Sequence, residues 1–142
     1  MSTLAVLLQV AAIVQFIVAL LNLALTRILG WQHQLQRVPP LMREVFHVHS
    51  WFISLTVAIF AVLTWRFASA MVEGSSEPAT WLAAAIGIFW GVRTMLQIFY
   101  YSPSHWRGRL GATVLHVALL LVYGSMSAVY FLAVFGGSGD SA

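Results

Sequence analysis

The sequence predicts an all-α integral membrane protein built as a four-transmembrane-helix bundle, and two observations carry that prediction. The 142 residues are 61% hydrophobic and only 8% charged, with a mean hydropathy of +0.88, where a soluble domain holds about a quarter charged residues. The apolar residues also gather into four long runs, about residues 4–29, 46–71, 80–101 and 110–135, split by short polar breaks. Each run exceeds the ~20 residues a helix needs to cross ~30 Å of hydrocarbon. Strands fail on pairing: an isolated strand in lipid leaves its backbone unsatisfied, and the ten-residue alternation of a barrel strand is missing.

The breaks fit the runs. Gly30 and Pro39-Pro40 separate the first two helices, with Pro40 placed to open the second. Between them, residues 31–38 are polar with a few apolar side chains and are expected to lie along the interface, Trp31 among headgroups. Glu73-Gly74-Ser75-Ser76-Glu77-Pro78 forms a short polar turn, and Ser102-Pro103-Ser104 ends the third helix. Gly136-Gly137-Ser138-Gly139 begins a tail, 136–142, expected to be disordered. The length suits a single transmembrane domain over residues 1–142.

Arginines set the expected orientation. There is no lysine, and Arg27, Arg37, Arg43, Arg107 and Arg109 fall near the first and third connections, against Arg66 on the other side. The positive-inside bias then puts both termini outside, and the first and third connections in the cytoplasm, of a multi-pass protein of the inner or plasma membrane. Met1–Val6 carries no basic residue, so the first helix is expected to be an uncleaved anchor.

Several functions are excluded. Without cysteine there is no thiolate metal site, no CxxCH-attached haem and no iron–sulfur cluster. The net charge of +3 reflects arginines flanking apolar runs, so no nucleic-acid partner is implied. No phosphate loop or Gly-x-Ser-x-Gly is present.

Polar side chains in lipid are costly and so carry the information. Each helix bears a stripe at helical spacing: Gln15, Asn22 and Thr26; Glu44, His47, Trp51 and Ser54; Arg93, Gln97 and Tyr100; His116, Tyr123, Ser127 and Tyr130. Inward stripes would build a bundle. Asn22, Glu44, His47, Arg93, Gln97, Tyr100 and His116 all fall in the half expected to be cytoplasmic, with His33, His49 and His105 at its boundary. That asymmetry is the main functional signal.

Glu44-x-x-His47 matches one half of a di-iron helix motif, but that motif needs two copies and two further glutamates. The HxxxH and HxxHH boxes of membrane desaturases are missing too. His47 and His49 are about 200° apart on a helix, so one ion cannot take both without distortion. His47 is expected to face inward, toward His116 at similar depth, and His49 outward. The His47–His116 pair suits the axial positions of haem b, a divalent metal, or the carbonyls of a quinone. Arg93, deep in its helix, calls for an anionic partner, either Glu44 or an anionic ligand.

Gly87-x-x-x-Gly91 permits close helix approach, within the bundle or to a second copy or larger complex. Five of six tryptophans, all but Trp90, lie near helix ends and read as interfacial belts. In size and helix count the chain resembles small membrane haem proteins and membrane-bound protoporphyrinogen oxidases, in architecture alone. Three functions fit: a redox-cofactor protein using His47, His116 and Arg93, an accessory subunit of a membrane complex, or a small enzyme acting on an amphiphile with Glu44 and His47 as acid and base.

Overall fold

The computed structural model describes residues 2–28, 30–100 and 110–136, the side chains of Leu25 and Thr26 excepted. Thr26 on the first stripe, the third connection with His105, Arg107 and Arg109, and the tail beyond Gly136 therefore lie outside the described residues. All regular structure among the described residues is helical: α1 (Thr3–Ile28), the short α2 (Gln32–Leu35), α3 (Pro40–Glu73), α4 (Glu77–Phe99) and α5 (Leu110–Gly136). Four of these are long and apolar enough to cross a membrane, which marks the chain as a multi-pass membrane protein.

Local chemistry explains the ends. Gly30 and Gly74 follow α1 and α3 with φ of 66° and 59°, a left-handed conformation that only glycine adopts without strain. In the first turn of α4, Pro78 needs no N–H partner, and the Glu77 carboxylate meets the positive end of the helix dipole. Glu77 also accepts a 3.4 Å hydrogen bond from the Trp81 indole one turn on.

The second long helix differs from its expected extent. It begins at Pro40, six residues before the apolar run, and has 34 residues. At 1.5 Å per residue it is about 51 Å long, and even a tilt of 40° leaves about 39 Å along the membrane normal. Its length therefore exceeds the ~30 Å hydrocarbon core by about 9 Å or more.

Buried positions step by three and four along each long helix. In α3 they are Ser54, Val57, Ala61, Thr64, Ala68 and Met71; in α1, Ala5, Leu8, Ala11 with its neighbour Ala12, Gln15 and Ala19, with half-buried Asn22 next in step. This is the seam of left-handed helix packing, filled mostly by small residues. No buried side-chain polar atom among the described residues lacks a hydrogen-bond partner.

The contacts divide the chain into two compact units, one of Met1–Leu8 with Phe67–Ala142 and one of Gln9–Arg66. In the first, α4 and α5 run antiparallel. A Cβ at Gly87 would lie 3.2 Å from the Tyr130 Cβ, and one at Gly91 3.2 Å from the Ser127 hydroxyl. That hydroxyl donates to the Gly87 carbonyl at 3.0 Å. Trp90 stacks on Tyr123 with ring centroids 5.3 Å apart. The Gly87/Gly91 surface, considered as a docking face for another subunit, is thus occupied by α5 of the same chain, because only glycine leaves room for Tyr130 and Ser127. In the second unit, the Asn22 amide nitrogen donates to the Ser54 hydroxyl at 2.9 Å and the Ser50 carbonyl at 3.3 Å, tying α1 to α3.

Candidate functional site

Arg93, Gln97 and His116 come together on the α4–α5 pair. Four residues along one helix bring Arg93 and Gln97 onto adjacent turns, and the Arg93 guanidinium donates to Gln97 Oε1 at 2.9 Å. Gln97, only 2% exposed, reaches across to α5, its Nε2 lying 2.9 Å from His116 Nδ1.

The direction of this relay follows from what each group can do. Guanidinium has donors and no acceptor, so Gln97 must turn its oxygen to Arg93 and its NH2 to His116. His116 Nδ1 therefore accepts, and the ring proton sits on Nε2. Arg93 is held a second way: its guanidinium carbon lies 4.7 Å from the Tyr123 ring centroid, a cation–π contact on a ring already stacked against Trp90. The cation expected to find an anion has two neutral partners among its described contacts.

His47 has the opposite arrangement. Its Nδ1 lies 2.7 Å from the Arg43 carbonyl, which can only accept, so Nδ1 carries a proton. Its side chain is exposed, as is that of Glu44. Of the stripe Glu44, His47, Trp51 and Ser54, only Ser54 is buried, and Trp51 is 66% exposed. The inward placement expected of His47 is not found, and the reason lies in the register of its own unit. Asn22 meets Ser50 and Ser54, so α1, ending six residues later at Ile28, runs out level with Glu44–Val48. Both Asn22 amide hydrogens are taken by α3. Tyr100 follows the last residue of α4, bonds back to Leu96 through its backbone, and is 79% exposed, off the buried face of Gln97.

The expected residues thus fall into two sets: Arg93, Gln97 and His116 in one unit, Asn22, Glu44 and His47 in the other. No group of three or more metal-ligating side chains occurs among the described residues. A groove of about 560 Å³ runs along α4–α5 past Val92, Met95, Phe99 and Phe131. Arg93, Gln97 and His116 do not line it. Tyr123 is the partner whose role the sequence did not reveal. It stood on the His116 stripe, and its seven-residue spacing from His116, beside Arg93–Gln97, was the available signal.

Comparison with protein-family models, with curated proteins and with solved structures finds no match.

Proposed function

We propose that the chain is a membrane cofactor protein whose Arg93–Gln97–His116 cluster binds the carbonyl head of a quinone. It would be a four-helix bundle of the inner or plasma membrane, with both termini outside and the cluster in the cytoplasmic half, as the distribution of arginines favours. One observation carries the choice of cofactor: the relay gives His116 an Nε2–H, a hydrogen-bond donor of the kind a quinone carbonyl accepts.

Haem b and a divalent metal are disfavoured at this histidine by the same chemistry. Ligation through Nε2 needs its lone pair, hence a proton on Nδ1 facing an acceptor. Gln97 would have to reverse, setting its NH2 against the Arg93 guanidinium, donor against donor. Losing that charge-assisted bond costs about 1.5–3 kcal/mol. His47 has the tautomer that ligation requires, with Nδ1 on a carbonyl. Glu44 and His47 as an acid–base pair for an amphiphile draw support only from their shared exposure near the start of α3.

A second reading, an accessory subunit whose polar groups only hold helices together, is favoured by the seating of Arg93 on Tyr123. Extraction of the purified protein and chromatographic assay for quinone separates the readings. Quinone retained by the native chain and His47→Ala, and lost in His116→Ala, is expected. A Soret band or bound metal lost in His116→Ala would overturn quinone in favour of those ligands. A colourless, metal-free protein that neither retains nor takes up added short-chain quinone leaves the structural reading.

A further inference from the structure

We propose that the α1–α3 unit carries one phospholipid of the phosphatidylethanolamine type, with an acyl chain in a groove between the helices, its phosphate at Arg27 and its ammonium at Glu44. The site is independent of the Arg93–Gln97–His116 cluster and shares no residue with it.

The groove, about 390 Å³, is lined by Phe16, Leu20 and Leu23 on α1 and by Trp51, Leu55 and Ala58 on α3, among others. On each helix it runs over eight residues, about 10 Å. Its wall is apolar, and in a chain that crosses a membrane such a face meets acyl chains. Alone that would be ordinary lipid contact. What makes it a site is the chemistry at one end.

Phe16, Leu20 and Leu23 step by four and three along α1, and the next step of four reaches Arg27. Arg27 is exposed, in the last turn of α1, on the groove's own face and about 6 Å beyond Leu23. Along α3 the strip Ala58, Leu55, Trp51, Val48 continues in the same rhythm to Glu44, also exposed. Asn22 bonded to Ser50 and Ser54 fixes the antiparallel register, so the two charges stand at the same end of the groove. Arg43 is Glu44's neighbour on the flank of that strip.

The order outward from the hydrocarbon is apolar wall, cation, anion. A phospholipid with a terminal amine presents acyl chain, phosphate and ammonium in that order. Guanidinium suits the phosphate through charge-assisted hydrogen bonds. Glu44 disfavours a headgroup without the ammonium, and a carboxylate accepts N–H donors that the quaternary nitrogen of a choline lacks.

Native mass spectrometry of the full chain from mild detergent, with ethanolamine, glycerol and choline phospholipids of identical chains in equimolar competition, reads the site. One ethanolamine lipid is expected to be retained in preference to the other two. Arg27→Gln should lower retention of all three by about fivefold or more, the loss expected for one charge-assisted contact. Glu44→Gln should bring the glycerol lipid level with the ethanolamine lipid. Ala58→Phe, which fills the groove and leaves every charge in place, should also release the lipid, whereas Arg37→Gln in the connecting segment should not. Equal retention of the three headgroups, or retention unchanged in Arg27→Gln and Ala58→Phe at native helix content, overturns the proposal. Loss of quinone in His116→Ala with the lipid still bound would separate the two sites.

Discussion

Gln97 is the residue on which the α4–α5 site turns, because it is the member that accepts from Arg93 and donates to His116. Replacing it by glutamate keeps the oxygen facing Arg93 and removes the donor facing His116. The carboxylate can only accept, so His116 is expected to move its proton to Nδ1 and expose a lone pair at Nε2. Nitrogen NMR of ring-labelled histidine reads this directly: the two ring-nitrogen signals of His116 should exchange character between the native chain and Gln97→Glu. An unchanged pattern would rule out the relay direction inferred above. Gln97→Leu removes both bonds, a cost of about 1.5–3 kcal/mol for the charge-assisted one and about 0.5–1.5 kcal/mol for the other, measurable by denaturant titration in detergent. The sequence made Arg93, Gln97 and His116 candidates through their cost in lipid and their spacing. It could not give the pairing. Which of a glutamine's two ends meets which neighbour depends on the neighbouring helix, and nothing along α4 alone encodes that.

At the scale of the element, helix identity was legible and helix contact was not. Apolar length defined four spans, and glycine and proline marked their ends. α3 opens at Pro40, as that proline's placement predicts, although the apolar run starts only at Phe46 because Leu41-Met42-Arg43-Glu44-Val45 is too polar to read as part of a span. Gly87-x-x-x-Gly91 was readable as a close approach but not as an approach to α5, since the motif says how near a partner comes and not whose it is. The two glycines should respond differently to a methyl group. At Gly87 the added carbon meets the Tyr130 Cβ at 3.2 Å, an atom fixed to the backbone of a buried residue. Gly87→Ala is therefore expected to lose about 1–3 kcal/mol, as overpacked cores do. At Gly91 the neighbour is a hydroxyl oxygen that can rotate away, giving up its bond to the Gly87 carbonyl, about 0.5–1.5 kcal/mol. Unfolding of the two variants in the same detergent checks the order. Equal losses would mean that α5 shifts as a body rather than resisting at Tyr130.

For the whole molecule, the overhang of α3 and the arginine distribution make a joint prediction about what water can reach. The chain has no cysteine, so any introduced thiol reports on its own position. Ile59 is exposed and lies mid-helix in α3, so its surroundings in the membrane are acyl chains. A cysteine there is expected to resist a charged, membrane-impermeant thiol reagent from either side. Leu41, equally apolar and more exposed, stands beside Arg43 and Glu44 in the first turn of α3, where the length in excess of the hydrocarbon thickness is expected to emerge, so Leu41→Cys should react. Ser75, in the turn between α3 and α4, lies at the far end of the same span and should react only from the opposite face. On the proposed orientation, with the arginine-rich connections inside, Ser75→Cys is expected to label in intact cells and Leu41→Cys only after permeabilisation. The reverse pattern would invert the orientation and leave the four spans standing. A thiol at position 41 shielded from both sides would instead require α3 to lie so obliquely that its polar first turns are drawn into lipid. Arg43 and Glu44 oppose that, because each would lose its water there without the depth of protein needed to replace it.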